Sequence, residues 1–78
     1  MPTVLRVGPY RFFFFSNEGD EPPHIHVRRD HALAKFWLEP VALAESANFP
    51  AHELGTLRGL VVENHVKLVA AWHEYFSR

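Results

Sequence analysis

The chain contains no cysteine. That excludes disulfides and any thiolate metal site, and it suits a reducing cytoplasm. It has no excess of either charge. Eight Lys and Arg stand against nine Asp and Glu, a formal charge of −1, so no global field draws in a polyanion and such a site must be a local patch. It lacks an apolar run of the roughly 20 residues that a membrane span needs. It also shows no secretory signal, because Met1-Pro2-Thr3 leads directly into a short apolar run interrupted by Arg6. Repeats, linkers and low-complexity segments are absent as well.

What is present is a small domain spanning residues 1–78. Hydrophobic residues make up 47% of the chain and charged ones 22%, a globular rather than a disordered balance. A chain this short buries only about 60% of its unfolded surface, so its seven Phe, two Trp and two Tyr are needed for the core. Six His make its charge responsive to pH between about 5 and 8.

Thr3 to Val7 and Tyr10 to Ser16 read as a first hairpin around Gly8-Pro9, with Phe12 to Phe15 as a buried strand. Residues 17–23 form a polar loop stiffened by Pro22 and Pro23. His24 to Arg29 and Ala32 to Glu39 read as a second hairpin turning at Asp30-His31. A two-residue turn opposes His24 to Trp37, His26 to Lys35 and Arg28 to Leu33. Directly opposed residues share a face. Ile25, Val27, Ala34, Phe36 and Leu38 therefore form a core face, while His24, His26, Arg28, Lys35, Trp37 and Glu39 form a polar one. A slip of one residue would mix the two sets.

Pro40 ends the fourth strand, and Val41 to Leu43 suggests a short edge strand followed by a connector. From Ala51 to Phe76 the apolar residues Leu54, Leu57, Val61, Leu68 and Trp72 recur at helical period. Glu63 with Lys67 and Glu74 with Arg78 are favourable i,i+4 pairs. A straight helix of that length would run about 39 Å, longer than the sheet. Either it breaks near Asn64-His65, or its end projects and needs a partner, for which a homodimer is one solution. Gly55 and Gly59 are expected to allow close packing on the sheet. The fold class is α+β: a mainly antiparallel sheet of four to five strands with a C-terminal helix packed on one face.

The most informative stretch is Glu21-Pro22-Pro23-His24-Ile25-His26-Val27-Arg28-Arg29. Strand alternation projects His24, His26 and Arg28 from one side, and three readings follow. In the first, a metal-independent ribonuclease site, His24 and His26 are acid and base and Glu21 orients a His. Arg28 and Lys35 stabilise phosphate, and Trp37 stacks on a base; this reading needs neither metal nor cofactor. In the second, His-x-His holds a metal, with a third ligand from Asp20, Glu21, Glu39 or His73. In the third, the chain is a protein-binding module without catalysis. A plain polar sheet face stands beside all three.

Several segments together, Arg11 to Ser16, Glu21 to Val27, Ala34 to Pro40 and Trp72 to Phe76, resemble a bacterial family, the domain of unknown function numbered 4160. Two positions depart from its pattern: His31 stands where Gly is frequent, and Pro50 where a Ser-type helix cap is common. The resemblance implies a small cytoplasmic bacterial protein encoded beside a second small protein. The arrangement looks like a toxin–antitoxin pair, with this chain as the toxin and a small antitoxin as partner; RNA as a target comes only from the ribonuclease reading of the sheet face.

Overall fold

The computed structural model describes residues 3–77. Five strands run in chain order, β1 (Thr3–Val7), β2 (Tyr10–Phe13), β3 (His24–Arg29), β4 (Ala32–Leu38) and β5 (Val41–Ala47). They form one antiparallel meander ordered β1-β2-β3-β4-β5. Two helices follow, α1 (Ala51–Glu63) and α2 (His65–Phe76). α1 lies over β4 and β5, and α2 over β3 and β4. This is an α+β fold.

The β3–β4 register is the one the alternation implies: His24 opposes Trp37, Ile25 opposes Phe36, His26 opposes Lys35 and Arg28 opposes Leu33. Phe12 opposes Val27 and joins the core face, whereas Phe13 opposes His26 and joins the polar face. Ile25, Val27, Ala34, Phe36 and Leu38 are buried under Leu57, Val61, Leu68 and Trp72. At the turn between β3 and β4 the positive φ falls on Asp30, at 56°. Asp tolerates the left-handed region better than most residues, so His31 does not need it.

Several elements differ from the sequence reading. β2 ends at Phe13, so the four phenylalanines are not one strand. Phe14 lies beyond it and packs in the core against Trp72, Tyr75 and Phe76, with ring centroids 5.4, 5.9 and 5.8 Å away. β5 extends to Ala47, because pairing with β4 overrides the weak strand preference of its alanines. Pro50 caps α1 without a side-chain bond, and its carbonyl accepts from the Glu53 and Leu54 amides.

The long helix breaks at Asn64, whose φ of −105° and ψ of 18° leave the helical region. The break places Glu63 and Lys67 on separate helices; Arg78, the partner expected for Glu74, lies outside the described residues. It also returns α2 to its own sheet, which removes the geometric need for a second subunit there. His65 donates from Nε2 to the Leu38 carbonyl at 2.6 Å and ties the break to the end of β4. Gly55 and Gly59 face open space rather than the sheet, since a Cβ on either would meet nothing within 4 Å. Leu57 and Val61 carry the packing of α1 instead.

A long-range clamp holds α1 to the sheet. Arg29 donates from Nε and Nη2 to Glu53 at 2.6 and 2.7 Å, and the Tyr10 hydroxyl donates to the same carboxylate at 2.6 Å. Hydrogen bonds from Arg29 and then Tyr10 hold the Glu53 carboxyl below its usual range. The Glu53 hydrogen bond raises Tyr10.

Candidate functional site

The polar sheet face divides into two zones. At one end, segment 14–23 folds back over the start of β3 and lays Glu18 against both histidines. Its approach to α2 is close: a Cβ on Gly19 would sit 2.8 Å from the Phe76 ring, so only glycine fits there without displacement. Glu18 Oε1 lies 2.7 Å from His24 Nε2 and 2.7 Å from His26 Nε2. His24 Nδ1 faces the Pro22 carbonyl at 3.0 Å, a contact that Pro22-Pro23 positions by fixing the backbone just before the strand.

Both imidazoles are buried, His24 at 0% and His26 at 5% exposure. A plain solvated polar face, the alternative to a site, does not describe this end of the sheet. Aromatic rings wall them in. His26 stacks on Phe13 at 5.6 Å and meets Phe15 edge-on at 4.5 Å, and His24 lies 4.8 Å from Trp72 and 5.7 Å from Trp37. Burial lowers the His26 pKa against the opposing pull of Glu18. For Glu18, burial opposes ionisation, but hydrogen bonds from His24 and His26 outweigh it and hold the carboxyl below its usual range. His26 Nδ1 is buried without a hydrogen-bond partner.

The other expected residues are placed as follows. Lys35 donates to Glu21 at 2.6 Å and lies 4.7 Å over the Trp37 ring. Glu21 Oε1 lies 3.9 Å from His24 Nδ1, but Pro22 rather than Glu21 takes that nitrogen's hydrogen bond. Arg28 shares the face but lies at the far, exposed end of β3. Among the described residues, one group of three side chains is close enough to share a metal ion: Glu18, His24 and His26, with all three ligand atoms within 4.8 Å of one another. Asp20, Glu21, Glu39 and His73, the expected third ligands, do not join it. Glu18 was missed because it lies in an irregular loop; the available signal was a carboxylate six residues before His-x-His.

The second zone is open and basic. Arg6 opposes Arg11 across β1–β2, and Arg11 opposes Arg28 across β2–β3. Three arginines thus stand in one row on three adjacent strands. The Arg11 guanidinium covers the Phe13 ring at 4.7 Å, and its Nε donates to Thr3 Oγ1 at 2.7 Å. Arg6 and Arg28 are exposed. Phe13, fully buried, separates the two zones.

Together these features define a small α+β domain with an enclosed His–Glu cluster beside a basic strand row. The family model for the domain of unknown function DUF4160 matches residues 10–73, and the chain belongs to that family. No curated protein and no solved structure matches the chain. Among the described residues no helix is long and apolar enough to cross a membrane, which says nothing of membrane barrels.

Proposed function

We propose that this chain is the toxin-type member of a two-protein bacterial pair, cytoplasmic, and that it acts on RNA through the polar face of its sheet. The observation that carries this reading is the row of Arg6, Arg11 and Arg28. Arg6 and Arg28 stand exposed at the two ends of that row, and an anionic ligand there would offset the repulsion that like charges on neighbouring strands exert. Adjacent strands lie about 4.8 Å apart, which spreads the guanidinium groups along a short stretch of backbone. Arginine offers planar, bidentate contacts to phosphate. Trp37 supports the reading as a partly exposed stacking surface on the same face.

The histidines enter this function differently from a pair of exposed acid–base groups. Glu18 engages both Nε2 atoms, so cleavage by His24 and His26 requires segment 14–23 to withdraw. RNA binding on the open zone does not. Phe13 forms the border between them.

Fluorescence anisotropy with single-stranded RNA across a salt series tests the binding. Affinity should fall linearly on a log–log plot as salt rises, and Arg6→Ala with Arg28→Ala should flatten the slope. Binding that ignores salt, or survives both substitutions unchanged, would remove the proposal. Growth arrest on expression, relieved by the small protein encoded alongside, tests the toxin role. Cleavage measured with and without chelator separates metal-independent from metal-dependent chemistry.

A second reading, a protein-binding module, has its own observation. Val62 and Val66 are 51% and 81% exposed, and open space lies over Gly55 and Gly59. This outer apolar ridge on the helices would fit the partner protein rather than RNA.

A further inference from the structure

We infer that Glu18, His24 and His26 form a binding site for one divalent transition-metal ion of the Zn²⁺ type. The inference starts from hydrogen-bond accounting. The Pro22 carbonyl can only accept, so the proton of His24 belongs on Nδ1, 3.0 Å away. In neutral His24 the Nε2 lone pair then points at Glu18 Oε1 across 2.7 Å. Two acceptors at that distance require a positive centre between them. A proton on His24 Nε2, which makes the hydrogen bond to Glu18 described above, serves that one contact. A metal ion would serve all three atoms, because His26 Nε2 converges on the same oxygen at 2.7 Å.

The surroundings fit a metal site in three further ways. Two imidazoles and a carboxylate are the donor set that zinc-type ions favour, whereas magnesium and calcium favour oxygen. A metal-bound His usually donates its other N–H to a carbonyl or carboxylate; the Pro22 carbonyl fills that place for His24, while the buried Nδ1 of His26 has no such partner. The nearest cation, Lys35, is neutralised by Glu21 at 2.6 Å, so it offers little repulsion. Bonds of about 2.0–2.1 Å in tetrahedral array need ligand atoms roughly 3.3 Å apart. Glu18 would withdraw by about half an ångström, and its side chain, 19% exposed on a loop, has room to do so; the two histidine nitrogens, up to 4.8 Å apart, would close on the ion by roughly 1.5 Å to reach that spacing. Three protein ligands leave a fourth position for water or substrate.

The site is independent of the RNA reading, because its test reads metal and not activity. Full-length protein is stripped with chelator, dialysed and titrated with Co²⁺, followed by its visible absorption, and with Zn²⁺, followed by calorimetry. One ion per chain should bind with a dissociation constant in the micromolar range or tighter. Glu18→Gln should weaken binding at least tenfold, and His26→Gln at least as much. Glu18→Gln sits on the loop, so it keeps the test decisive if His26→Gln fails to fold. His73→Ala and His52→Ala, on the exposed helix surface, should leave binding unchanged. Absence of stoichiometric binding up to millimolar metal overturns the site. So does binding that tolerates Glu18→Gln but disappears with His52 or His73.

Discussion

The two ends of the polar sheet face start from the same strands and end in opposite states. At the end covered by segment 14–23, His24 and His26 are excluded from water and locked onto one carboxylate oxygen. At the other end, Arg6 and Arg28 stand exposed in register with Arg11. Strand alternation put all of these side chains on one face but did not decide their environment. The loop decides it, by bringing Glu18 over one end only. A residue type usually read as reactive, His, is here the enclosed one, and the charged surface available to a ligand is arginine.

The largest expected effect lies at the boundary between the zones. Phe13 is fully buried, covered by Arg11 and stacked on His26. Phe13→Ala should cost about 3–5 kcal/mol, as truncations of buried Phe do, and should loosen both zones together. Chemical denaturation measures the loss. A cost below about 1 kcal/mol would mean that the zones do not share this support. Phe36→Ala, on the core face, should cost a similar amount while leaving the His cluster and the Arg row in place.

Next in size is the removal of the covering carboxylate. Glu18→Ala leaves two buried imidazoles without their shared partner, and orphaning a buried polar group costs about 1–3 kcal/mol. Affinity for RNA at the open end should stay the same. A variant that kept full stability but lost RNA binding would reverse the roles assigned to the two ends.

The reasons some of this was legible in the sequence, and some was not, are physical. The β3–β4 register could be read because polar and apolar residues alternate from His24 to Arg28 and a slip of one residue would turn Lys35 to the core face. Length alone narrowed the helix to two outcomes, a break near Asn64 or a projecting end, since a straight helix would overrun the sheet. In Phe12 to Phe15 four identical residues give no alternation, so the end of β2 was invisible. Phe12 faces the helices, Phe13 faces His26, and Phe14 leaves the sheet for the core. Glu18 and Glu53 were not found because irregular loops and contacts 24 or 43 residues apart leave no periodic trace. Of the candidate site, the shared face was legible; the partner that encloses half of it was not.

The clamp at Glu53 supplies a control on acid sensitivity away from the histidines. Its folded pKa lies below its ordinary value. The stabilisation is therefore fully present above the usual carboxylate pKa of about 4.3 and disappears as pH falls through the folded value. Tyr10 is shifted the other way, so its share is present below about pH 10 and is lost as pH rises through the folded value. Melting temperatures of the wild type and Glu53→Gln should differ at neutral pH and converge in acid. A difference that persists undiminished well below the carboxylate range would show that the charge of Glu53 contributes nothing.

The smallest effect on stability should accompany a clear effect on function, and neighbouring arginines make the contrast. Arg29 points to the helix side and holds Glu53 with two hydrogen bonds. Arg28 points to the open face and is exposed. Arg28→Ala should change stability by no more than about 0.5 kcal/mol, the range of ordinary surface substitutions. It should also lower the log–log salt slope of single-stranded RNA binding by about 0.7, the value for one lost phosphate contact. Arg29→Ala should do the reverse, loosening α1 while leaving the salt slope alone. Parallel anisotropy and melting measurements on the two variants give four numbers. Equal salt slopes in both variants would mean that the Arg row does not meet phosphate, because two adjacent residues of the same charge would then differ only in the helix that one of them holds.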